Sequence, residues 1–113
     1  MKDTQIAIKG KGTLRFLSAD EIVYIEANGH HAIIHTLTET IDVSCPLKEL
    51  EASLGTQGVI RIHRSFMVSL DYIREIEDGQ ATLSDAAHTR LPIGWGYDEK
   101  LREEIKKRNC LFL

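Results

Sequence analysis

A chain of 113 residues with formal net charge −3 at pH 7, 42% hydrophobic and 27% charged residues, has the makeup of one globular domain able to bury a core of its own. The slight acidity excludes the overall basic balance with which many nucleic-acid binders neutralise phosphate, so such a function would need charge segregated in three dimensions. No apolar run approaches membrane-spanning length, the N-terminus lacks the apolar stretch of a signal peptide, and the two cysteines, Cys45 and Cys110, have no CxxC spacing; together these point to a soluble cytoplasmic chain with free thiols.

Turn chemistry divides the chain into short strands. Gly10-Lys11-Gly12 separates the runs TQIAIK and TLRFL. Asn28-Gly29, between EIVYIEA and HHAIIHT, favours the φ > 0 geometry of a type I′ hairpin turn. On that reading His30 and His31 open the next strand and point to opposite faces, so only one of them can lie on a functional surface, and His30 with Asn28 beside it is the better placed. Thr38-Glu39 turns the chain again before TIDVS. A helix starts near Cys45-Pro46, where proline's fixed φ and missing donor suit a first turn, and it carries Leu47, Leu50 and Leu54 down one face before Gly55.

The stretch RIHRSFMVSLDYI, Arg61 to Ile73, is the most informative. Ile60 and Ile62 face one side of a strand, Arg61 and His63 the other, and a second alternating run follows in Phe66, Val68 and Leu70. His63-Arg64-Ser65 interrupts the alternation with hydrogen-bonding groups at a junction held by apolar residues on both sides, a probe on a rigid mount. Asp78-Gly79 marks a further hairpin turn between YIREIE and QATLS. A second helix spans about Tyr97 to Lys107, with Tyr97, Leu101 and Ile105 at helical spacing, acids at its start and Lys106, Lys107 and Arg108 at its end. The apolar tail Cys110-Leu111-Phe112-Leu113 either packs on the sheet or meets a partner.

The pattern is mostly β, about ten short strands with one short helix mid-chain and one at the C-terminus. With no repeat, low-complexity stretch or linker, residues 1–113 form a single unit with its core over about 6–107. Between Val59 and Ile93 the cations Arg61, Arg64, Arg74 and Arg90 are outnumbered by Asp71, Glu75, Glu77, Asp78 and Asp85. An enzyme has little support: His63 and Ser65 lack a nucleophile elbow and oxyanion-hole glycines, Glu21, Glu26 and Asp42 are not drawn into one pocket, and no Gly-rich phosphate loop is present. The five histidines have no metal-ligand spacing, so neither metal nor cofactor is called for.

EIVYIEANGHH, CPLKELEASL, RIHRSFMVSLDYIREI and LPIGWGYDEKLREEI, in this order and spacing from about Ile6 to Ile105, resemble the LytTR DNA-binding domain, the output module of many bacterial response regulators. The resemblance implies a stack of small antiparallel sheets that reads duplex DNA through loops reaching into successive major grooves, usually at direct repeats and with two copies acting together. It also implies a receiver, sensory or membrane domain, absent from this chain, that controls pairing on DNA. The family's contact positions fall here on the His30-His31 turn, on His63-Arg64 with Ser65 and Asn28 in support, and on Trp95. Arg64 leads, because an arginine fork can bond guanine O6 and N7 together or grip a phosphate; the plainer alternative is a surface ion pair with Asp71 or Glu75. Gly94 and Trp95 stand where the family usually has serine and arginine. The indole either packs on a thymine methyl or a sugar or, the favoured reading, covers the apolar end of the second helix. Ser69 replaces a common asparagine. The competing function is a β-rich protein-interaction module that does not bind DNA and presents a sheet edge or the apolar tail.

Overall fold

The computed structural model describes residues 5–108 and 110–113. Strands β1 (Gln5–Gly10) and β2 (Thr13–Ser18) lead into β3 (Tyr24–Asn28), β4 (His31–His35) and β5 (Thr40–Val43), followed by helix α1 (Leu47–Leu54). Then come β6 (Val59–His63), β7 (Phe66–Ser69), β8 (Ile73–Glu77), β9 (Gln80–Leu83), β10 (Arg90–Pro92) and helix α2 (Asp98–Lys107). The strands form three antiparallel sheets: a β1-β2 hairpin, a five-stranded sheet in the order β5-β4-β3-β7-β6, and a three-stranded sheet in the order β10-β9-β8. The mostly β reading with two helices therefore holds.

Both faces of the five-stranded sheet are put to use, which is why its strands carry apolar residues on alternate and sometimes on adjacent positions. Ile25, Ile34 and Met67 look towards α1 and the β1-β2 hairpin, where Leu47, Leu50, Leu54 and Leu17 close one core. Ile60, Ile62 and Val68 look the other way, onto Ala81, Leu83, Leu91 and Leu101 of the three-stranded sheet and α2. Each such side chain, fully withdrawn from water, contributes about 1.5–3 kcal/mol before entropy is charged against it. Ser69, the buried polar residue named for its missing asparagine, is completely enclosed at the end of β7, and its backbone N–H donates to Val23 O at 3.0 Å.

Three local expectations are corrected. In the first hairpin Asn28 pairs with His31, so the tip is Gly29-His30 and not Asn28-Gly29. Gly29 has φ +64 while His30 is absent from the positive-φ residues, which rules out type I′ because that turn needs φ > 0 at both positions. Asp78-Gly79 does meet that need, at φ 50 and 73. Pro46, in extended geometry at φ −72 and ψ 155, precedes α1 as its N-cap instead of opening its first turn. α2 has the acids and bases at the ends where the helix dipole favours them, and Leu101 and Ile105 on its inner face. In the tail Leu111, Phe112 and Leu113 stay exposed, with Lys106 Nζ 5.9 Å from the centre of the Phe112 ring. Among the described residues no helix is long and apolar enough to cross a membrane.

Candidate nucleic-acid interface

The β6-β7 hairpin is built around a bulge. Arg61 pairs with Met67, then the register shifts and His63 pairs with Phe66, leaving Arg64-Ser65 as the tip. The extra residue breaks the alternation expected for Arg61 and His63. Arg61 lies towards α1, where Nη1 donates to Glu51 Oε1 at 3.2 Å, while the His63 ring turns onto Phe66 with centroids 5.7 Å apart.

From that position the Arg61 guanidinium serves the turn itself. Its Nε donates to His63 O at 3.1 Å and its Nη2 to Arg64 O, so one anchored cation binds two consecutive carbonyls at the tip. Ser65 N donates to His63 Nδ1 at 3.0 Å, and Ala27 of the neighbouring hairpin donates to Ser65 O at 2.8 Å. Because a backbone N–H can only donate, Nδ1 accepts and the imidazole proton sits on Nε2, leaving a second donor near the tip. The same bond removes a Ser-His nucleophile pair from consideration, since the ring is engaged by the serine's backbone and not by its hydroxyl.

Arg64 projects from this brace into solvent, and among the described residues its guanidinium has no hydrogen-bond or ion-pair partner. The ion pair weighed for it is not formed: Asp71 accepts from Arg108 Nη2 at 2.6 Å. At the neighbouring tip Asn28 and His30 are exposed, while His31 is engaged, its Nδ1 3.2 Å from Asp42 Oδ1. Further along the same face His35 Nε2 lies 2.6 Å from Glu26 Oε1, and its ring stacks on Tyr24 at 4.0 Å and 8°. Burial raises the Tyr24 phenol above the ordinary tyrosine range, with Glu26 and Asp85 adding to the effect.

A third loop, from β10 to α2, leans on the second. Gly94 N donates to Ile62 O at 2.7 Å, sealing part of the edge strand β6. A Cβ at Gly94 would stand 3.0 Å from Tyr97 Cδ2 and 3.3 Å from His63 Cδ2, so glycine is what lets this loop approach so closely. Trp95 is 100% exposed, which overturns the expectation that it covers α2. Tyr97 is the half-buried aromatic at that turn, and Gly96, at φ +87, turns the chain into the helix directly after Trp95. The indole instead lines a groove of about 600 Å³ in which Ile76, Ile93, Leu101 and Ile105 are joined by the charged Glu77, Asp98 and Arg102.

The Ala27–Ser65 bond joins the first tip to the second, and Gly94 joins the second to the third. The structure thus brings Asn28, His30, Arg64, Ser65 and the Nε2 side of His63 to two adjoining tips, leaves His31 tied to Asp42, and sets Trp95 on the loop beyond. Sequence reasoning missed Arg61 and Gly94 as parts of this arrangement. Gly94 carried a signal, standing where a related pattern has serine; Arg61 carried none, because its partner Glu51 lies on another element.

The family profile of the LytTr DNA-binding domain matches residues 12–106. The chain belongs to this family. Among curated proteins it is 30% identical over 94 residues to the CO-responsive transcriptional regulator RcoM of Rhodospirillum rubrum, covering 80% of this chain and 40% of that protein. It is 24% identical over 102 residues to the sensory transduction protein LytT of Bacillus subtilis, covering 88% of this chain and 42% of that one. The LytTR chain therefore spans about two fifths of the length of these relatives. A LytTr DNA-binding domain from Bacillus cereus superposes with a TM-score of 0.73 at 23% identity, over 91% of this chain and 97% of that domain. The three sheets and two helices described above are thus the LytTR fold, in a DNA-binding domain of transcription regulators and not in an enzyme family.

Proposed function

We propose that residues 1–113 act as a single cytoplasmic output module that binds duplex DNA with sequence preference and reads direct repeats through its loops, two copies together. The observation that carries this reading is Arg64: an exposed guanidinium without a partner among the described residues, on a tip braced by Arg61, Ala27 and His63. Preorganised donors favour binding because little side-chain and loop freedom is lost on contact. Arg64 bonds guanine O6 and N7 in a major groove. The Nε2–H of His63 and the Ser65 hydroxyl take phosphate oxygens beside it. His30 and Asn28 make the second contact, with His31 joining only on leaving Asp42, and Trp95 packs on a thymine methyl or a sugar. A receiver or sensory domain outside this chain governs how two copies pair.

Selection from a randomised duplex library at near-physiological salt tests the proposal. The expected result is a repeated motif whose binding weakens linearly with the logarithm of salt. No enrichment by folded protein contradicts it. A second reading, a protein-interaction module, is favoured by one observation: the fully exposed Trp95 and Phe112 of the exposed tail line the same groove. Affinity of that kind changes little with salt, so the same titration separates the two.

A further inference from the structure

Three arginines are held in ion pairs. Arg15 is paired with Glu39, Arg61 with Glu51 and Arg108 with Asp71. Among the described residues Arg74 and Arg90 make no ion pair, yet both line one concavity of about 530 Å³, on the outer face of the three-stranded sheet, together with Glu75, Thr82 and His88. The backbone departs from regularity at two points to assemble it. Ile73 pairs with Leu83 and Glu75 with Thr82, so Arg74 is the extra residue of a bulge, which re-aims its side chain. Arg90, on the far strand, pairs with Thr82 from the other side. His88 takes a left-handed φ of 49, uncommon for a residue with a side chain, and its turn is pinned by Asp85, which accepts from His88 N through its backbone and from Thr89 N and Oγ1 through its carboxylate.

The chemistry of the lining is one-sided. Arg74 Nη1 approaches His88 Nδ1 at 3.4 Å, and a guanidinium can only donate, so His88 accepts there and keeps an N–H on Nε2. Arg74, Arg90, His88 and Thr82, all able to donate, then line one space together with a single carboxylate residue, Glu75. We infer that this concavity is a phosphate-binding site, taking either a backbone phosphate of duplex DNA or the phosphoryl group of a free ligand. The shared chemistry is a tetrahedral oxyanion met by bidentate arginine donors. The site stands apart from the tips that carry Arg64, and it does not depend on the DNA reading assigned to them.

The test is an amide-resolved NMR titration of the chain with inorganic phosphate, with a duplex DNA titration at several salt concentrations alongside. Saturable shifts centred on Arg74, Thr82, His88 and Arg90 are expected, to be lost in the folded Arg74→Gln/Arg90→Gln variant and strengthened in Glu75→Gln, which removes the opposing charge. If backbone phosphate is the ligand, the double variant also lowers the slope of log K against log salt by about 0.9 for each contact removed, with sequence preference unchanged. Phosphate-dependent shifts with an unchanged DNA slope assign the site to a free phosphorylated ligand. No phosphate response together with an unchanged slope overturns the inference, and a wild type that fails to bind DNA overturns only the reading at Arg64.

Discussion

The two neighbouring hairpin tips differ in how they are held. At the β6-β7 tip, carbonyl and amide groups are bound from inside the molecule by Arg61, Ala27 and His63, leaving Arg64 to meet solvent. At the β3-β4 tip, Gly29 supplies the left-handed turn above the Asn28–His31 ladder pair, and the His31 side chain makes an exposed contact to Asp42. The contrast teaches that a donor of fixed direction needs a bond network behind it, whereas a tip that depends on glycine and surface contacts can adjust to what it meets. The first suits discrimination between bases and the second suits accommodation.

Removing the mount beneath the braced tip has the largest expected effect. Ile62→Ala empties the fully buried extra residue of the β6-β7 bulge and should cost about 2–5 kcal/mol of stability, read by urea unfolding. Loss under about 1 kcal/mol would place the second core elsewhere. Arg61→Met comes next. It strips the donors from His63 O and Arg64 O and leaves Glu51 beside an apolar chain, for a loss of about 2 kcal/mol, given that the pair is half-buried and not enclosed. Its signature is faster hydrogen exchange at Ser65 with Asn28 and His30 unchanged, and equal acceleration at both tips would erase the distinction drawn between them.

His30→Ala and Asn28→Ala, at the adjustable tip, should leave stability within about 0.5 kcal/mol and weaken DNA binding less than a change at Arg64 does. The smallest effect is alkaline. The folded-state pKa of Tyr24 is raised by burial, so the stability tied to its neutral form is present below the ordinary tyrosine pKa and is lost as pH rises through the higher folded value. Tyr24→Phe should therefore move alkaline unfolding to higher pH, followed by far-ultraviolet dichroism. An unmoved midpoint would mean that another group controls that transition.

Much of this architecture is legible in the residues because period-two alternation and turn dipeptides are local signals: Ile60, Ile62 and Val68 reach one core, and Leu47, Leu50 and Leu54 another. The Gly29-His30 tip was displaced by one residue, since Asn-Gly is so strong a hairpin pair that it masks a register set by the partner strand. The bulge that separates Arg61 from His63 depends on pairing across strands, and the Arg61–Glu51 bond links a strand to α1, so neither has a local signature. From sequence alone a tryptophan beside the second helix invites a packed reading, but Gly96 turns the chain away and Tyr97 is the half-buried ring. The positions proposed to meet DNA came from resemblance; what the structure adds is which of them are already engaged.

Under the proposed function, Arg64 reads a base from a tip held by Arg61. The most direct measurement is a thermodynamic cycle on a selected duplex: affinities of wild type and Arg64→Ala for that duplex and for versions substituted one base pair at a time, at fixed salt. Arg64→Ala is expected to cost about 1–3 kcal/mol on the selected duplex, a penalty that disappears when one particular guanine is replaced. A penalty equal on every duplex, or none on any, would contradict it.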